Sequence, residues 1–139
     1  MPASALDAYV TAQRATDDGR QLEAALLFKA ARQLEAVAAT WEAPERTARL
    51  RTALDYNTAL WSVFQASMEE PESPLPRAVR VNVLQLVRFI DRRTLEILAS
   101  PAPGKLDALI NIDRQIAMGL STQEAPSGTA ASMVGGAAA

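Results

Sequence analysis

RQLEAALLFKAARQLEAVAATWE, residues Arg20–Glu42, decides the fold. It contains no Gly and no Pro, and the strong helix formers Ala, Leu, Glu, Gln and Arg dominate it. Leu22, Leu26, Ala30, Leu34, Val37 and Trp41 recur at steps of three or four residues. That is the helical period, not the alternation of a half-buried strand. The spacing predicts one helix over about residues 20–42, with an apolar stripe that needs partners.

Outward from it, Gly and Pro fall in a few clusters that cut the chain into helical lengths. Asp17-Asp18-Gly19 reads as a break whose aspartates can cap the helix starting at Arg20. Ahead of it, a short helix over about Ala3–Thr16 places Leu6, Tyr9, Val10 and Gln13 on one side. Downstream, Pro44 suits the first turn of a helix reaching Met68, striped with Leu50, Leu54, Trp61, Phe64 and Met68. EEPESPLP (Glu69–Pro76) is a loop, with prolines at 71, 74 and 76. Pro76 can open a helix to Ala99, with a narrow seam of Val79, Val83, Leu86, Ile90 and Ile97. After SPAPG (Ser100–Gly104), a last helix carries Leu106, Leu109, Ile110, Ile116, Ala117 and Leu120. From Ser121 the chain is mostly Ala, Gly and Ser without a bulky stripe, which reads as a disordered tail. The expectation is all-α: a single helical bundle of about five helices over residues 1–120, with a disordered C-terminal tail over residues 121–139.

Composition narrows the function. The 139 residues have room for one modest core. A net charge of −2 favours neither nucleic acid nor an anionic membrane. Cys and His are both absent, which removes disulfides, thiolate nucleophiles, Cys/His zinc sites and imidazole acid–base chemistry. The N-terminus lacks the charge and apolar pattern of a secretory signal, and no stretch approaches the roughly 18 apolar residues of a membrane span. The expectation is a cytoplasmic protein that is not an enzyme and carries no cofactor and no metal. EEPE (Glu69–Glu72) reads as a solvated connector.

The informative residues are polar ones inside apolar stripes. At about 100° per residue, Glu23 projects with Trp41 and Leu34, Asn57 falls between Leu50, Trp61 and Phe64, and Asp113 lies among Leu106, Leu109, Ala117 and Leu120. An unpaired buried amide costs about 1–3 kcal/mol and an unpaired carboxylate more. These side chains therefore either pair and fix helix register, or line a groove that a partner fills. A catalytic carboxylate pair is the weakest of the three readings, because no pocket or nucleophile accompanies it.

The helix opened by Pro76 has a second anomaly. Opposite its seam, Arg77, Arg88 and Arg92 lie within about 60° of one another on a helical wheel, interleaved with Val81, Leu84 and Leu95. A mixed Arg and aliphatic face suits protein binding, since Arg is enriched at interfaces. Without interleaved aromatics or a basic excess, a phosphate-binding strip is the second reading. Phe28, off the main stripe of its helix, marks a further contact or a second core layer.

Several segments resemble the FlaF family: LDYNTALWSVF (Leu54–Phe64), SPLPRAVRVN (Ser73–Asn82), TLEILASPAPGKLDALINI (Thr94–Ile112) and DRQIAMGL (Asp113–Leu120). ALLFKAARQLEAVAATWE (Ala25–Glu42) is similar to the family's second-helix segment, and the likeness spans about residues 5–120. Its most specific parts are Asn57 with Trp61, Leu75-Pro76 with Arg80, and the Leu109–Ile112 block running on to Gly119-Leu120. It departs from the pattern at Asp113, where Asn is expected, and in the tail from Ser121. The resemblance implies a non-catalytic role in bacterial flagellum biosynthesis. It also implies action on flagellin synthesis or secretion, with flagellin and FlbT as partners and flagellin message as an alternative target.

Overall fold

A computed structural model of the chain describes residues 17–72 and 75–122. Among these residues there are four α-helices, one 3-10 turn and no strand. The helices are α1 (Asp17–Ala39), α2 (Arg46–Glu69), α3 (Arg77–Ala99) and α4 (Asp107–Thr122), with the 3-10 turn at Pro103–Leu106. The expected N-terminal helix over Ala3–Thr16 and the tail from residue 123 onward lie outside the described residues. Among the described residues four helices stand, where about five were expected for the whole chain.

The helix ends follow local chemistry. α1 begins at Asp17, so Asp17-Asp18-Gly19 is its first turn and not a break. A helix tolerates its one Gly there, which costs only about 1 kcal/mol. α1 stops at Ala39, before Trp41, and Pro44 sits in the turn ahead of α2. The residue preceding a proline is disfavoured in helical conformation, which turns the chain here. Pro76 is the N-cap of α3 and its carbonyl accepts from the Arg80 N–H at 3.1 Å. α4 runs past Leu120 through Ser121 and Thr122, whose hydroxyls donate to the Met118 carbonyl at 3.1 and 2.9 Å. Those two residues therefore belong to the helix and not to the tail.

α1 packs along α4 over the most extensive interface and against α2 on its flank; α2 packs in turn against α3. The 3-10 turn touches α1, α4 and α3. Because α1 is covered from two sides, its buried arc is broad: Arg20, Glu23, Ala24, Leu27, Ala30, Ala31, Leu34 and Val37. This arc is rotated from the predicted stripe. Leu22 is 37% exposed and Leu26 is half-buried, whereas Leu27 is fully enclosed. Burying a Leu such as Leu27 or Leu34 contributes about 1.5–3 kcal/mol. Phe28 is half-buried and packs against this core as an outer layer. On α3 the enclosed side chains are Val79, Val87, Ile90, Thr94 and Ile97, with Val83 and Leu86 half-buried.

Candidate functional site

Asn57 and Asp113 are both completely buried, and the fold brings them together. Each lies in the inward row of its helix, Asn57 on α2 beside Trp61 and Asp113 on α4 beside Leu109 and Ala117. The Trp61 indole N–H donates to Asp113 Oδ1 at 2.8 Å. With its amide nitrogen toward the carboxylate, Asn57 donates to Asp113 Oδ2 at 2.6 Å and lies 3.2 Å from Oδ1. A buried tryptophan needs an acceptor for its single N–H, and Asp113 supplies it. Trp61 also meets Phe64 edge-on, ring centres 5.3 Å apart at 87°. Wheel geometry finds Asn57 and Asp113 but not Trp61 as their partner, because periodicity within one helix carries no register between helices.

Burial raises the Asp113 carboxyl from the ordinary 3.8 to about 7, against the Trp61 hydrogen bond, which lowers it. Two arrangements satisfy the pair. Charged Asp113 accepts from the Asn57 amide nitrogen; neutral Asp113 donates its own O–H to the Asn57 carbonyl over the same short distance. Each protonation state of the acid is thus satisfied by one orientation of the amide. Neither side chain opens to solvent, so these residues sit in a closed interhelical tie and line no groove.

Glu23 is 2% exposed on the inward row of α1, and it too is a partnered group, not a free charge. Nearer the surface, α1 and α4 are joined by Arg114, whose Nε and Nη2 donate to the Glu35 carboxylate at 2.8 and 2.6 Å. Arg80, picked out in the sequence only as part of a motif, donates from Nε to the Met68 carbonyl at 2.9 Å. It thereby satisfies an end of α2 that has no further turn to bond to.

The Arg and aliphatic face of α3 points outward. Arg77, Val81, Arg88, Arg92 and Leu95 are exposed, Leu95 by 67%, while Leu84 is half-buried. Leu98, 43% exposed, extends this face toward the end of the helix. Three exposed aliphatics with three guanidinium groups on one helix match the composition of a contact surface better than that of a solvated one. Glu69 at the end of α2, and Glu70 and Glu72 in the loop after it, are exposed. No helix among the described residues is long and apolar enough to cross a membrane.

No curated protein and no solved structure matches the chain. A protein-family model, described as flagellar protein FlaF, matches residues 5–120. That span takes in all of α1, α2 and α3, the 3-10 turn and α4 as far as Leu120. The chain belongs to the FlaF family of flagellar proteins.

Proposed function

We propose that this protein is a non-catalytic, cytoplasmic regulator of flagellum biosynthesis that binds flagellin through the outward face of α3 and works together with FlbT. Family membership supplies the process. The observation that carries the mode of action is the uncovered row of Val81, Leu95 and Leu98 among Arg77, Arg88 and Arg92. Amphipathic helices of a flagellin monomer present an apolar stripe that such a row can cover, while the guanidinium groups orient the contact at its edges. A regulator of this kind promotes flagellin production or export by keeping the monomer from associating with itself.

The test is gel filtration of the purified protein with monomeric flagellin. Co-elution at tens of micromolar is expected. Replacing Arg88 and Leu95 together with Glu should abolish co-elution while leaving the stability within the range of surface substitutions, about ±0.5 kcal/mol. Leu95 suits this better than Leu84, whose half-buried side chain also supports the core. Absence of co-elution for the unaltered chain removes the flagellin reading. Binding to flagellin message that weakens steeply with salt would put a nucleic-acid role in its place.

A further inference from the structure

α1 and α2 leave an open trough between them, of about 300 Å³, lined by Gln33, Ala36, Val37, Ala48, Arg49 and Thr52 with Ala53 at its floor. Small side chains on both helices line it, Ala36 on α1 with Ala48 and Thr52 on α2, where larger residues would interdigitate. Beyond one end, a turn before Gln33 on α1 and a turn after Thr52 on α2, the Lys29 ammonium lies over the Tyr56 ring at 5.3 Å. Toward the other end lies Arg49, which donates to Thr40 Oγ1 at 3.0 Å.

The charges around this trough are unbalanced. Arg32 stands one turn along α1 from Lys29 and Ala36, close enough to Tyr56 to act on its hydroxyl electrostatically. Lys29, Arg32 and Arg49 have no carboxylate within ion-pair distance among the described residues. Of the nearby acids, Glu35 is engaged by Arg114 and Asp55 by Arg51, and Glu45, one turn before Arg49, makes no ion pair with it. Gln33 adds a buried carbonyl oxygen with no hydrogen-bond partner, an acceptor that the intramolecular fold leaves over.

The cations stand at opposite ends of an apolar floor and do not converge on a point, which disfavours a single small anion. From Arg32 to the Thr40–Arg49 pair is eight residues of α1, or about 12 Å at the helical rise. Two carboxylates seven residues apart on a helix span nearly the same length. We propose that this trough seats an acidic amphipathic helix of a partner protein. One of its carboxylates meets Lys29 and Arg32, a second meets Arg49, and small apolar side chains between them lie over Ala36, Val37 and Ala53. No residue of α3 lines the trough, so this surface is independent of the flagellin reading.

The experiment is fluorescence anisotropy with the full chain and a labelled synthetic helix. The probe carries two Glu seven residues apart with Ala and Leu on the same face between them; a control peptide has Lys in place of both Glu. Saturable binding with Kd in the micromolar range up to about 1 mM is expected for the acidic peptide and none for the control. Arg32→Glu and Lys29→Glu should each weaken it about tenfold, as should Ala48→Trp, which fills the trough. Arg88→Glu on α3 should leave it unchanged. Thermal melts identify any variant that unfolds, and the exposed Arg32→Glu alone then decides the charge arm. The proposal is overturned if the acidic peptide fails to saturate, or if Ala48→Trp binds as tightly as the parent chain. It is also overturned if inorganic phosphate displaces the peptide beyond what sodium chloride of equal ionic strength does.

Discussion

Asp113 places an ionisable acid where the core is completely closed, and its protonation is therefore a term in folding. Its carboxyl titrates near 7 in the native state and near 3.8 when solvated, so between those values the folded chain binds more protons than the unfolded one. The contribution of this residue is most favourable below pH 4 and declines as pH rises to about 7. Other carboxylates slope the opposite way, so the signal is the difference from Asp113→Asn, a variant that keeps an acceptor for Trp61. Urea melts at intervals from pH 4.5 to 8 should show the variant gaining stability relative to the parent as pH rises, by a few kcal/mol at most. A constant difference across that range would mean the acid does not titrate in the fold. The sequence marks Asn57 and Asp113 as buried because each falls inside a stripe. That they meet, and that Trp61 completes the set, depends on how α2 and α4 lie on α1, which no single helix encodes.

At the level of elements, the main helices and most of their boundaries are legible because Pro and Gly punctuate the chain. The α1 stripe is not: Leu22 and Leu26 share the spacing of a core row, yet Leu27 is the residue enclosed. An Ala-rich helix offers several rows of equal plausibility, and the choice is made by which two neighbours it contacts. The turn after α2 shows a second kind of information. Arg80 reaches back to the Met68 carbonyl and ties α3 to the end of α2 across the proline loop. Arg80→Leu should cost about 1 kcal/mol and speed amide exchange in the last turn of α2, read by hydrogen-exchange mass spectrometry. Unchanged exchange at residues 66–70 would show that the carbonyl is satisfied as well by water.

Across the whole molecule, cohesion is uneven. α1 and α4 share the deepest interface, whereas α3 is held by α2 and the 3-10 turn. Local opening draws on the elements with the fewest buried contacts. In native-state exchange α3 should therefore open at lower denaturant than α1 and α4; simultaneous opening of all four helices would contradict this. The outward face of α3 then belongs to the least anchored helix, which suits a surface that adjusts to a partner. The α1–α4 pairing has a consequence during synthesis. The stripe of α1 is translated first, but its main cover begins only at Asp107. At about 5–20 residues per second, the nascent chain carries that stripe for several seconds before its closing helix exists. α4, made last of the four described helices, is the clasp of the core, and until it emerges, other apolar helices near the ribosome compete for its place.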